Sequence, residues 1–401
     1  MKKFIFILTI LFVFILNVNA EIDVKSYSGI VYNLNDDIII YEKNINEQLS
    51  IASLTKIMTA IVVIENTNLD DEITITRDAF VGLDGYALAG FKVGDRVTIR
   101  DLLYALMLPS GAEAGNMLAI SFTESSDDFI GLMNNKAKEL GLNNTHFDNP
   151  IGKDSLNNYS TAQDLAILLK YALQNETFKE IYTSTSYITT NGLKLNRTID
   201  KYANGIDISI IKGDKTGHTD DAGYCLSSIS NIDDINYLIV TLGADNTYDF
   251  INDHINLYNY FSTNYSYRDI LNVNQLLISI PIKNGKQESL EIYSHKEIKK
   301  YLKNDINLND IKYEYNGIEI ITKKNKLNDK LGTINIKYKD EILDTYDVYL
   351  LDEIEYKLEI WKIIIWSIPI FILLVFILLI NKNKKYQLKQ KKIVLKKIRV
   401  K

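Results

Sequence analysis

Ile51-Ala52-Ser53-Leu54-Thr55-Lys56-Ile57-Met58-Thr59-Ala60 reads as the first turns of a buried helix. Ile57, Ala60 and Ile61 fall at helical spacing, and neither Gly nor Pro interrupts the run. Ser53 and Lys56 are three residues apart, so their side chains leave one face of that helix a turn from each other. A serine hydroxyl is a poor nucleophile until a base takes its proton. A lysine is such a base only when burial or another cation lowers its pKa toward neutrality. At the inner end of an apolar helix, desolvation works in that direction. The pattern alone is unspecific, since about one Ser-x-x-Lys arises by chance in a chain of this length. Its meaning depends on the other segments.

Upstream, residues 29–32 and 38–41 alternate apolar and polar around a turn at 33–37, a β-hairpin leading to the helix. Downstream, 71–77 and 92–99 suggest short strands, and helices are expected at 100–107, 112–120, 127–140 and 161–173, the first stopped at Pro109. Strands return at 186–190, 223–228 and 237–243. Strands at both ends with helices between them indicate an α/β core whose sheet joins distant segments. From about residue 266 to 356 the text turns to strand-like runs (278–282, 318–321, 332–338, 346–350) with Asn, Asp, Gly and Lys turns, a small second β domain.

The ends are of a different kind. Lys2 and Lys3 precede an apolar run, and Val18-Asn19-Ala20 supplies small residues, so 1–20 read as a cleaved secretory signal. Residues 363–380 carry no charge, lie beside Trp361 and Trp366, and precede a basic tail at 381–401. A transmembrane helix over 360–380 with a cytoplasmic end is expected, leaving 21–358 outside the membrane. The tail's lysines suit anionic lipid head groups.

With 401 residues, 46% hydrophobic and 24% charged, the chain is long enough for two domains. Cys225 is its only cysteine, which excludes an intrachain disulfide and a cysteine-built metal site. His146, His218, His254 and His295 form no pair at a ligand spacing, so neither metal nor other cofactor is expected. The net charge of −6 becomes −18 once the ten cations after Asn381 and Lys2 and Lys3 are set aside. That field argues against a nucleic-acid partner, and an anionic substrate needs specific local cations.

Two further motifs follow in order. Pro109-Ser110-Gly111-Ala112 lies between two helices, where a hydroxyl can be presented into a cleft. Lys215-Thr216-Gly217-His218-Thr219 precedes the 223–228 strand. Ser-x-x-Lys, a second serine motif and Lys-Thr-Gly in this order form the set used by penicillin-recognising serine enzymes. The chain resembles them, and within them the low-molecular-mass D-alanyl-D-alanine carboxypeptidases. Ala52 to Ala60, Asn144-Thr145-His146-Phe147-Asp148-Asn149-Pro150-Ile151-Gly152, Tyr159-Ser160-Thr161-Ala162 and Lys215 to Tyr224 are all similar to family stretches, and the likeness covers roughly 25–245.

The resemblance implies a serine β-lactamase/D,D-peptidase-like α/β (α+β) domain over 21–265, an antiparallel sheet with a helical cluster. A small all-β domain and a C-terminal membrane helix would follow it. It implies a peptidoglycan stem peptide as substrate and β-lactams as covalent inhibitors. Ser53 would be the nucleophile, Lys56 the base, and Ser110 the relay to the leaving D-alanine. Lys215 and Thr216 would bind the terminal carboxylate, with Gly217 and His218 beside them and the His218 N–H sharing an oxyanion hole with that of Ser53. Arg197 is a further candidate for the carboxylate. One departure stands out: the family usually has Asn where this chain has Ala112. A serine β-lactamase and a non-catalytic peptidoglycan-binding protein are the alternative readings. Against the first, no Glu after the Ser110 segment stands in an obvious Glu-x-x-x-Asn loop context to drive deacylation.

Overall fold

In the computed structural model, which describes residues 22–123, 125–358 and 360–398, the Ser53 stretch opens as one 3-10 turn, Ala52–Leu54, and continues as helix α1, Thr55–Asn66. Every residue from Thr55 to Val63 is buried. A helix covered on all sides belongs in the middle of a core rather than on its surface. Around it pack α2 (Ile99–Met107), α3 (Ala112–Phe122), α4 (Ser126–Glu139), α5 (Ala162–Ala172) and α6 (Glu176–Thr183), each touching α1. Their starts are set by caps. Thr98 and Asp101 form a capping box at α2, and Ser125, Thr161 and Asn175 accept backbone N–H groups at α4, α5 and α6.

The main sheet has five strands: β1 (Ser28–Asn33), β2 (Ile38–Lys43), β3 (Gly213–Thr219), β4 (Gly223–Ile232) and β5 (Ile235–Ala244). They lie in the order β2-β1-β5-β4-β3, antiparallel throughout, so β1 meets β5 with Val31 opposite Ile239. β5 is buried on both faces. Leu238, Val240 and Leu242 join the core that holds α1 and α5. On the other face Tyr237 and Thr241 meet Tyr258 and His254 of α8, Thr247–Asn264, which follows the short α7, Ile199–Ala203. The β3 strand is an edge, paired only with β4.

The chain divides into two compact units at Asn264 and Tyr265. The second pairs Tyr265–Leu271 with Ile298–Lys303 and Leu276–Pro281 with Ser289–Tyr293. It also forms a three-stranded sheet from Ile311–Gly317, Lys330–Tyr338 and Glu341–Tyr349, over a core that includes Ile280, Ile334 and Ile336. The strand expected at 318–321 is not there. The strand is Ile311–Gly317, because Tyr313 anchors it through a hydrogen bond to Ile270 O, and beyond it only Ile321 bridges, to Ile282. Helix α9, Ile360–Ile398, runs through Pro369 without stopping. It is the one helix among the described residues long and apolar enough to cross a membrane. The expected signal segment, 1–20, and Arg399 and Lys401 of the tail lie outside the described residues.

Candidate active site

The turn before α1 is made for display. Ala52 has φ +44°, a left-handed conformation that costs a non-glycine residue about 1–2 kcal/mol. It throws Ser53 to the surface of the core while Lys56 stays inside. Ser53 Oγ and Lys56 Nζ are 2.8 Å apart, and Nζ donates to Ile151 O at 2.7 Å. Burial pushes the Lys56 pKa well down, the Lys215 charge pushes it further, and Glu113 opposes both.

The loop that supplies Ile151 O is organised by one side chain. Asn149 Oδ1 accepts the N–H groups of Ile151, Gly152 and Lys153 at 3.2, 2.7 and 2.9 Å. The loop seats on α1, where Thr59 Oγ1 donates to Pro150 O at 2.6 Å. Gly152, at φ +82°, lies so close that a Cβ there would stand 1.8 Å from Ala52 O. Only glycine permits that approach.

Ser110 reaches the same place from the α2–α3 turn, also left-handed at φ +64°. Its Oγ accepts from Lys215 Nζ at 3.0 Å, and the same Nζ donates to Thr216 O at 2.8 Å. Burial pushes the Lys215 pKa down to about 7, against the attraction of Asp214. Burial in turn pushes Asp214 up to about 6, against Arg197 and Lys215. Gly217 brings the β3 edge against the Ser53 turn: a Cβ on it would lie 3.1 Å from Ser53 N and 3.2 Å from Ala52 Cβ. Between the turn and the strand opens a cleft of about 430 Å³ lined by Ser53, Lys56 and Ser110 together with Thr216, Gly217 and His218.

The structure therefore brings together Ser53, Lys56, Ser110, Lys215, Thr216, Gly217 and His218. Lys215 sits one layer behind the cleft wall, buried against Ser110, so its charge acts through that wall. The His218 ring is exposed and stacks on Tyr224 at 4.0 Å. Arg197 is taken up elsewhere, pairing with Asp200 at 2.9 Å and Asp214 at 3.3 Å. Ala112 is buried in an apolar cluster with Leu83 and Ile151. Asn116 does not replace the missing amide, because its Nδ2 donates to Ala79 O at 3.1 Å.

Sequence reasoning missed the Ile151 carbonyl as a partner of Lys56 Nζ. A backbone carbonyl leaves no side-chain signature; the Asn-Pro-x-Gly turn around it was the available signal.

A family model described as D-alanyl-D-alanine carboxypeptidase matches residues 16–246. The chain belongs to that family of penicillin-binding serine peptidases. The D-alanyl-D-alanine carboxypeptidase DacF of Bacillus subtilis is 28% identical over 337 residues, which cover 81% of this chain and 84% of that one. The Streptomyces sp. K15 enzyme of the same name is 37% identical over 51% of this chain and 75% of its own length. Among solved structures, the Streptomyces K15 DD-transpeptidase has a TM-score of 0.55 at 32% identity, covering 60% of this chain and 98% of that one. The D-alanyl-D-alanine carboxypeptidase DacD of Francisella tularensis has a TM-score of 0.68 at 24% identity, covering 84% of this chain and 95% of its own, and shares the fold.

Proposed function

We propose that Ser53 carries the family's reaction, removal of the terminal D-alanine from a peptidoglycan stem peptide, through an acyl-enzyme. The observation that carries this reading is the 2.8 Å contact between Ser53 Oγ and a fully buried Lys56 Nζ. Ser53 Oγ bonds to the carbonyl carbon of the penultimate D-alanine as its proton passes to Lys56 Nζ. The oxyanion is held by the N–H groups of Ser53 and His218, each worth about 3–4 kcal/mol in such sites. Ser110 relays the proton to the departing D-alanine nitrogen as the peptide bond breaks, leaving an ester on Ser53 that water hydrolyses. The terminal carboxylate meets Thr216 and the field of Lys215. That cation is the local exception to the chain's acidic field, and the bound carboxylate would return its proton affinity upward. A β-lactam follows the first half of this path and stays as the ester.

The apolar, solvent-facing α9 supports an anchor that holds the catalytic unit on the outer side of the membrane, where its substrate lies. The test incubates the full chain with a pentapeptide ending in D-Ala-D-Ala and with a fluorescent penicillin. D-alanine release and covalent label are expected for the native chain, and neither for Ser53→Ala. Label retained on Ser53→Ala at unchanged stoichiometry would show the nucleophile to be another residue.

A further inference from the structure

Glu113 is fully buried beside the cleft and takes no part in the chemistry above. It is the second residue of α3, three positions after Ser110. Its Oε1 accepts the backbone N–H groups of Ala89 at 2.7 Å and Gly90 at 2.9 Å, while Oε2 is buried with no hydrogen-bond partner. Burying a carboxylate with one bare oxygen is unfavourable, and an apolar side chain would fill the space at less cost. A function for the charge or for the two accepted hydrogen bonds is the physical reason to keep it.

Other contacts join the same two segments. The Ala112 N–H donates to Ala87 O at 2.8 Å. Gly111 packs so tightly on the loop that a Cβ there would stand 2.8 Å from Ala89 Cβ. Just ahead of these anchor points, residues 84–87 form one wall of the cleft. We propose that Glu113 is a positioning residue that ties the 84–90 loop to the start of α3, so that the substrate-facing wall and Ser110 are held as one body.

This rests on the roles assigned above to Ser53, Lys56 and Ser110. Its charge has a second consequence. The charged groups that face Lys56 are Lys215 from β3 and Glu113 from α3, and Glu113 holds the Lys56 pKa up against burial and Lys215. With Ala112 offering no amide to the lysine, Glu113 is the counter-charge on that side.

The two effects separate in two variants of the full chain. Glu113→Gln keeps an oxygen to accept from Ala89 and Gly90 but removes the charge; Glu113→Ala removes both. Acylation by fluorescent penicillin and D-alanine release are measured from pH 5 to 9, with thermal midpoints as a folding control. For Glu113→Ala the expected result is a rise in KM of about tenfold or more with a smaller change in kcat. For Glu113→Gln, KM is expected within about threefold of the native value, with the acid limb of kcat/KM moved down by about half a pH unit or more, since Lys56 then loses its proton more easily. Unchanged KM in folded Glu113→Ala overturns the positioning role, and an unmoved acid limb in Glu113→Gln overturns the role of the charge. If Glu113→Ala does not fold, Glu113→Asp, which keeps the charge on an arm too short to reach Ala89 and Gly90 N–H, takes its place, and an unchanged KM there overturns the positioning role. A native chain that neither acylates nor releases D-alanine would instead refute the function on which the proposal rests.

Discussion

The hydrogen-bond partners of Lys56 Nζ are neutral, Ser53 Oγ and Ile151 O, and the nearby Lys215 adds a second buried cation. Both lysines have folded-state pKa values below the ordinary 10.5. The unfolded chain therefore holds protons that the folded chain has released. For Lys215 the resulting stability is full above pH 10.5 and is lost as pH falls toward about 7. At neutral pH the site is thus a net burden on the fold, to which the left-handed Ala52 and Ser110 add strain. In the proposed reaction what is lost in stability is recovered as reactivity, because a lysine whose proton affinity is lowered by burial and by Lys215 can stand unprotonated and take a proton from Ser53. Lys56→Arg isolates this. Arginine keeps the charge but cannot act as a base at neutral pH. The expected outcome is a fall in penicillin acylation rate of about 10²–10⁴-fold with the thermal transition still cooperative. A rate within about tenfold of native would remove Lys56 from the role of base.

At the scale of elements, the site depends on how close the β3 edge comes to the α1 turn, and Gly217 sets that distance. A methyl group there meets Ser53 N, Ala52 Cβ and Ile51 O at 3.1–3.2 Å, so strand and turn must separate by a few tenths of an ångström. Gly217→Ala is expected to slow acylation by about ten- to a hundredfold, because small misplacements of reacting groups are costly. The thermal midpoint should change little, since β3 is an edge strand joined to the sheet by β4 alone. Acylation at the native rate would mean the strand is not held against the turn. These elements were not equally visible in the sequence. Helix α1 announced itself through a run without Gly or Pro, and β5 through the apolar stretch Tyr237 to Leu242. The β3 strand was legible only as a motif, because its Gly, Asp, Lys and Thr do not alternate apolar and polar residues, although most of them are buried. Helix α8 went unread: its apolar positions, Phe250, Ile251, Leu257, Tyr258 and Phe261, keep helical spacing, but Asn, Asp and Thr between them are weak helix formers. It forms because His254 and Tyr258 meet Ser228 beneath the sheet at 2.6 Å, a tertiary contact that local propensity does not record. Ser53, Lys56, Ser110 and Lys215 were legible because their order and spacing formed a set, although no one of them was distinctive.

For the whole molecule, every residue lining the cleft lies between Ser53 and Asp220, within the first compact unit. That unit has its own apolar core around α1, and the second has another built from Ile280, Ile334 and their neighbours. Neither core includes residues of α9, whose apolar side chains from Ile363 to Ile380 face outward. The proposed chemistry and α9, the proposed anchor, are therefore separable by a cut after Leu358. The truncated chain is expected to stay in solution without detergent and to release D-alanine from a free pentapeptide with kcat/KM within about twofold of the full chain, because the reacting groups are unchanged. Against peptidoglycan held near a membrane the comparison should reverse. An anchored enzyme meets its substrate at the raised effective concentration that tethering provides, and the released one meets it only by diffusion. Assaying both forms on the free peptide and on membrane-bound peptidoglycan measures the two effects separately. A truncated chain that folds cooperatively yet is slow on the free peptide would show that α9 acts on the cleft itself. Equal rates on membrane-bound peptidoglycan would show that anchoring confers no kinetic advantage.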